Sequence, residues 1–513
     1  MLVCYKWHTI GSQAASLWTD IDFVRQGALA PVLLTRSLGA PIRLCGNLDG
    51  DNVLSTVVTD NGVRICELDL SVAADLPHPL PTVQSILAVD MPRIRVLSLT
   101  LTDFKYGNAT MVVAHPAALP RFPALEAMLL ERFLLIPTHP LPRLTHLHLA
   151  SLYGINSSSI LDLLRNTPAL EVLHVVKSGE YIVPQDWATR RWDSVFLPRL
   201  YSVYLSRTAS TTIHDLMTHL EAPNLAVVTL SSISAHTGTL VSRTLIPSSL
   251  AARTVTRVAI NVTGKFAAIC TAFHGPNLSL SIGISSGNNM RNAMEITGWA
   301  YDDLPALLPF HTVDELHFQA ELGRHRVGAA LLPTMAARMP TVSTLAIKYD
   351  ERSPERRTSD AAMGLARAVA ALLSGSGDGT RRGLGTDAET DSPVLLPRLA
   401  HLEFIVATIP QGFCELLVPA LAQRARDGRR LKTLRIWLGG VNRGAGAAMK
   451  EVDQVEASYE DTGIFEHVDS VKIDQREKTG PADEPEDSEE PTSNRLRWGE
   501  WTDCVRTPEH DYW

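Results

Sequence analysis

No run of about 18 consecutive apolar residues occurs in the sequence, which is what a bilayer-crossing helix requires. The charge-free stretch 266–290 is threaded with Ser, Asn, Gly and Pro. The expectation is therefore a chain with no membrane span. Cysteine is scarce: Cys4, Cys45, Cys66, Cys270, Cys414 and Cys504 are all that 513 residues hold, and no two make a Cys-x-x-Cys pair. That excludes a disulfide scaffold and fits buried thiols in a reducing compartment, so the expected location is cytoplasmic or nuclear. The opening Met1-Leu2-Val3-Cys4-Tyr5-Lys6-Trp7-His8 is too polar and aromatic for a secretory signal. The Asn-x-Ser/Thr sites at Asn108, Asn156, Asn261 and Asn277 then read as chance matches.

Motifs for chemistry are missing too. Gly264-Lys265 lacks the upstream glycine of a phosphate loop, and no His-Glu-x-x-His, nucleophile elbow or calcium loop is present. The expectation is that the chain is not an enzyme and carries no cofactor. Net charge is -8, but Asp483, Glu484, Glu486, Asp487, Glu489 and Glu490 lie within 480–491 with no base among them. Removing those six leaves -8 + 6 = -2. Such a balance offers no general reason to expect a nucleic-acid partner.

What the chain does have is a recurring phrase, Pro-x-Leu-x-x-Leu-x-Leu, with other aliphatics at the Leu positions. It runs Pro92-Arg93-Ile94-Arg95-Val96-Leu97-Ser98-Leu99, then from Pro123 to Leu130 and from Pro142 to Leu149. Further copies start at Pro168, Pro198, Pro223, Pro340 and Pro397. Versions without proline begin at Ile65, Val255, Val313 and Leu431, and a poor one lies near Leu278. Ten steps carry the chain from Ile65 to Val342, a mean of about 28 residues, within the range of leucine-rich repeats. The fourth and sixth positions of the phrase point inward from a short strand, and the third and fifth point to the opposite face. Proline just ahead of a strand removes no ladder hydrogen bond. Between phrases, Ser159–Arg165, stopped by Thr167-Pro168, and Thr212–Leu220, stopped by Pro223, read as helices. The fold class expected is α/β, a leucine-rich-repeat solenoid: a curved parallel sheet with outer helices, irregular repeats and a small helical N-terminal cap. An ordinary α/β domain is the competing reading, but it does not repeat one eight-residue phrase a dozen times. Irregularity is expected because the position eight after the first aliphatic, usually Asn or Cys, holds Ala73, Thr102, Phe133, Leu152, Ser178, Thr208 and Ile233.

The expected organisation is a cap over 1–39, repeats over 40–350, an insertion over 351–395, further repeats and a cap over 396–470, and a tail over 471–513. Within the insertion, Asp360–Leu373 is alanine-rich and helix-prone, and Ser374–Ser392 is a Gly/Ser/Asp/Thr run that reads as a flexible loop. The Pro- and acid-rich 475–494 reads as disordered, followed by an aromatic end from Arg495 to Trp513 that docks back or serves as a peptide motif.

Read along successive copies, the fifth position gives Asp69, Ser98, Leu129, His148, His174, Tyr204 and Thr229. The third gives Glu67, Val96, Ala127, His146, Val172, Ser202 and Val227. His146, His148 and His174 are close enough to suggest zinc, but no carboxylate partner accompanies them, and no metal is expected. The patch suits the core of a protein interface, so His146, His148, His174 and Tyr204 are taken as part of a partner-binding concave face.

Residues 2–23 do not follow the phrase. They read Leu2-Val3-Cys4-x-x-Trp7-x-x-Ile10, then Ser16-Leu17-Trp18-Thr19-x-Ile21-Asp22-Phe23. One reading is a cap that shields the end of the array. The stretch also resembles the C-terminal half of an F-box, and the repeats resemble the degenerate leucine-rich repeats of fungal F-box proteins. The resemblance implies that Val3, Cys4, Trp7, Ile10, Leu17 and Trp18 contact the adaptor subunit of a cullin-RING ubiquitin ligase. It further implies that the repeats recruit the protein to be ubiquitinated. The family's F-box opens with a Leu-Pro-x-Glu segment that this sequence lacks, so either translation starts further upstream or adaptor binding has been lost. The alternative function is a leucine-rich-repeat binding protein without ligase coupling.

Overall fold

Proline gives this chain its local rhythm. In a computed structural model, which describes residues 11, 13–48, 53–73, 79–102, 121–132, 135, 137, 139–152, 157–176, 192–234, 254–263, 268–276, 278–285, 310–321, 327–350, 359–374, 395–406, 412–439 and 464–476, one turn recurs before eight strands. The Ile94 N–H donates to the Met91 carbonyl at 3.2 Å, Leu144 to Leu141 at 3.2 Å, Leu200 to Leu197 at 3.2 Å and Leu399 to Leu396 at 3.4 Å. Leu125, Leu170, Leu225 and Val342 close the same loop onto Phe122, Thr167, Ala222 and Met339. In every case proline is the second residue, where a fixed φ is favoured and no N–H is needed. The aliphatic that closes the turn is buried.

After the turn the chain extends. Strands β1 (Asp20–Asp22), β2 (Ile42–Leu48), β3 (Ile65–Ala73), β4 (Val96–Thr102), β5 (Ala127–Glu131), β6 (His146–Ala150) and β7 (Val172–Val176) lie side by side in chain order, all parallel. β8 (Val195–Phe196) and β10 (Leu220–Glu221) form a separate ribbon, while β7 pairs with β9 (Ser202–Ser206) and β9 with β11 (Val227–Ser234). Strands β5, β6, β7, β9 and β11 each start on a shared acceptor. The Arg95 carbonyl takes the N–H groups of both Glu126 and Ala127 at 2.8 and 2.9 Å, and the Thr145 carbonyl takes those of Glu171 and Val172 at the same distances. Exit is also regular after β5, β6 and β9, where Arg132, Ser151 and Arg207 sit at φ 61°, 55° and 50°. Their N–H groups reach the Ala150, Val176 and Ser231 carbonyls of the next strand at 2.7–3.0 Å.

The chain order then inverts once. β12 (Arg257–Thr263), β13 (Ala268–Gly275) and β14 (Leu278–Ser285) form an antiparallel meander. β14 lies parallel to β11, whereas β12 lies parallel to β15 (Glu315–Glu321). The copies near Val255 and Leu278 were expected in chain order; the structure places them in reverse, with an antiparallel strand between. The join from β13 to β14 is only two residues long, and a crossover between parallel strands needs a dozen or more. Gly275 at that corner cannot be replaced without movement, since a Cβ there would lie 2.1 Å from the Thr254 carbonyl oxygen. Parallel order resumes through β16 (Thr344–Asp350), β17 (His401–Val406), β18 (Leu431–Gly439) and β19 (Val468–Arg476).

Alternation within the strands separates two faces. On β6, Leu147 and Leu149 are fully buried, while His146 and His148 are half-buried on the other side. The leucine face and the buried residues of the helices Ser157–Arg165 and Ser210–His219 belong to one apolar cluster, which continues to Ile436 and Ile473. Each buried leucine contributes about 1.5–3 kcal/mol. A buried Ser157 hydroxyl donates to Asp215 at 2.7 Å and ties these two helices together. The helix-prone stretch of the insertion is the helix Ser359–Ser374.

Two expectations change. The segment around Ile21 is not part of a helical cap: it is strand β1, with Ile21 fully buried against β2. A three-residue strand is too short for period-2 patterning to announce it. The position eight after the first aliphatic, where irregular turns were expected for want of Asn or Cys, ties successive turns where it holds threonine. The Thr102 hydroxyl donates to the Val72 carbonyl at 3.3 Å, and the buried Thr208 hydroxyl to Val175 at 3.3 Å. The run 375–394, the tail from 477 on, and Val3, Cys4, Trp7 and Ile10 lie outside the described residues.

Candidate interaction face

The face opposite the leucines is a register-aligned lattice. One row reads Cys45, Asp69, Ser98, Leu129, His148, His174, Tyr204 and Thr229 from β2 to β11. The same row, followed through the meander, continues as Ala259, His317, Ala346, Glu403, Arg435 and Lys472. The fifth-position residues of the phrase are therefore neighbours in space.

At the centre of the first half three rings stack. His148 and His174 have ring centroids 5.7 Å apart at 51°, and His174 and Tyr204 are 5.2 Å apart at 43°. A strand spacing of about 4.8 Å brings equivalent side chains into this range without further design. Beside them the His146 ring nitrogen Nδ1 meets the Thr145 hydroxyl at 2.8 Å. The Tyr204 hydroxyl lies 3.4 Å from Ser231 Oγ, which donates to Ser206 Oγ at 2.8 Å. Burial pushes His148 down to about 3, assisted by the charge of His174, and pushes His174 down to about 4, assisted by His146. His146 is lowered by burial as well, against an opposing pull from Glu171. At neutral pH these imidazoles are uncharged, each offering one donor and one acceptor. Such a surface gives up little hydration on contact and still specifies hydrogen bonds.

Charged groups flank the stack. Towards β1, Arg43 lies between Asp20 (3.9 Å) and Glu67 (3.5 Å), and Arg95 holds Glu126 at 2.6 Å. In the second half Arg257 pairs with Glu315 at 2.5 Å, and His317 lies 3.5 Å from the same carboxylate. Burial lowers the His317 pKa, Arg257 adds to that, and Glu315 and Glu403 oppose it. The Trp437 indole N–H donates to Glu403, and the Arg435 guanidinium sits 3.9 Å above the Trp437 ring. Sequence reading missed Glu315, His317, Glu403, Arg435 and Trp437. The signal was available, because Glu315, His317, Glu403 and Arg435 are third- and fifth-position residues of the copies at Val313, Leu399 and Leu431.

No family model and no curated protein matches this sequence. Among the described residues, no three His, Cys, Asp or Glu side chains gather so as to hold a metal ion. Nor is any described helix long and apolar enough to cross a membrane.

Of the residues tied to the F-box resemblance, Leu17 and Trp18 are described. Leu17 is 66% exposed. The Trp18 indole donates to the Gly11 carbonyl at 2.7 Å, and Arg36 lies over its ring at 4.8 Å. The helix Ala30–Arg36 packs against this turn and leaves Val32 exposed, with Leu29 and Leu38 exposed at its two ends.

Proposed function

We propose that the chain is a leucine-rich-repeat solenoid that binds another protein on its open sheet face, around His146, His148, His174 and Tyr204. The carrying observation is the stack of three uncharged rings on adjacent strands, aligned by register, on the face the core does not use. Aromatic side chains held by a rigid sheet lose little entropy when a partner arrives, and they dominate contact energy where water is excluded. Beyond that, the chain resembles the substrate-recruiting F-box subunit of a cullin-RING ligase. The exposed Leu17 beside Trp18, with exposed Leu29 and Leu38 at the two ends of the neighbouring helix, supplies the apolar surface that an adaptor contact needs.

Two measurements test the two halves of this reading. Purified chain is titrated with the purified cullin adaptor; micromolar or tighter binding that L17D abolishes supports the ligase role, and no binding leaves a repeat protein without ligase coupling. Proteins captured by the native chain are then compared with those captured by the H174A/Y204A variant. Capture that is unchanged by both substitutions, in a variant that melts normally, rejects the face as the partner site.

A further inference from the structure

The helix Phe413–Arg426 follows β17, and its buried residues Phe413, Leu417, Ala420, Leu421 and Arg424 recur at the three- and four-residue spacing of an amphipathic stripe. Arg424 is the one charged member, 1% exposed at a point where the spacing calls for an aliphatic. Its Nη2 donates to the Leu396 and Leu399 carbonyls at 3.0 and 2.8 Å, the two ends of the proline turn ahead of β17. That turn is the widest of the eight, closing at 3.4 Å, because its Leu396 carbonyl is shared between the Leu399 N–H and the guanidinium. Nε and Nη1 are sealed from solvent and have no hydrogen-bond partner among the described residues. Nor does any described carboxylate pair with Arg424. Asp427, the nearest acid in the chain, is held by Arg429 at 3.0 Å and accepts from Gln423 Nε2 at 3.0 Å.

Burial pushes the guanidinium down to about 10, with Arg429 adding to this and Asp427 opposing it, so the group stays charged at neutral pH. Two carbonyls offer it partial charge only, and a buried ion ordinarily has a full counter-charge beside it. A macromolecular partner cannot provide one, since Nε and Nη1 do not reach the surface. A multiply charged anion such as phosphate loses far more hydration on entering an apolar interior than a singly charged one. We propose that Nε and Nη1 of Arg424 hold a small monovalent anion of the halide class, such as chloride, where the helix Phe413–Arg426 meets the turn ahead of β17. The ion balances the guanidinium and stabilises the folded chain, without touching the open sheet face.

Thermal unfolding of the full chain in NaCl and in sodium gluconate, from about 20 to 500 mM at matched ionic strength, tests this alongside R424M. A ligand bound only by the folded state raises stability with its concentration, so the wild-type melting temperature climbs in chloride by about 2 °C or more beyond any change that R424M shows. Methionine also drops the two carbonyl contacts, so a second readout uses the wild type alone: crystals soaked in sodium bromide, with an anomalous peak expected against Nε or Nη1. Should R424M fail to fold, the bromide peak decides. A wild type with the same melting behaviour in both salts overturns the proposal, as does a chloride effect of equal size in R424M. Bromide-soaked crystals in which water alone meets Nε or Nη1 overturn it too.

Discussion

Lowering the pH should load protons onto the unfolded chain long before the ring stack accepts them. His148 and His174 have folded-state pKa values of about 3 and about 4, set mainly by burial, against about 6.5 when exposed. The unfolded state then binds more protons, so stability from this source is fully present above pH 6.5 and is lost as pH falls below it. At pH 5, about 1.5 units below the unfolded value and at least one unit above both folded values, each ring disfavours the folded state by about 2 kcal/mol. The pair therefore contributes a loss of about 4 kcal/mol between pH 7.5 and pH 5, with a slope near pH 5 of about 2.5 kcal/mol per unit. The direct readout is proton uptake on unfolding at pH 5, measured by calorimetry in buffers of different ionisation enthalpy. Wild type should take up close to two more protons than the H148Q/H174Q variant, which keeps polar side chains of similar size but cannot titrate. An equal uptake in the two proteins would mean that both rings stay hydrated and titrate as free histidines. The uncharged character of the proposed binding face would then fail with them.

Three further outcomes follow from the packing. Leu147→Ala, at a fully buried position whose neighbours Met128 and Leu173 are themselves buried, should cost about 2–5 kcal/mol in urea unfolding, while Leu17→Ala, exposed, should cost less than about 0.5 kcal/mol. Asp215→Ala leaves the buried Ser157 hydroxyl without its acceptor and should cost about 1–3 kcal/mol, with Ser157→Ala/Asp215→Ala less damaging than the sum of the two single changes. H174A/Y204A should weaken partner binding by about tenfold or more at an unchanged melting temperature, as judged by titration with whichever partner native chain captures.

The phrase Pro-x-Leu-x-x-Leu-x-Leu was enough to place Ile94, Leu125, Leu144, Leu170 and Leu200 at the start of neighbouring parallel strands, because one residue of slip would turn every leucine outward. It was also enough to bring His148, His174 and Tyr204 together, since equal positions in parallel strands are adjacent. It could not reveal the meander. A strand with alternating side chains has the same pattern whichever way it runs, so Ala268–Gly275 carries no mark of its antiparallel direction. The Glu403–Trp437 contact lay beyond the phrase for another reason. Trp437 sits at the seventh position, outside the two columns that were read.

Proline, buried aliphatic and shared carbonyl do the same work before each of these strands, and none of them reaches the open face. The residues that do reach it are released from any duty to the fold. That separation explains why Leu129, His148, His174 and Tyr204 can differ in size and chemistry while their backbones keep identical pairing. Where a scaffold leaves a position free, a pattern that persists there is constrained by something outside the core. The row His148, His174 and Tyr204, held in register by three neighbouring strands, is such a pattern.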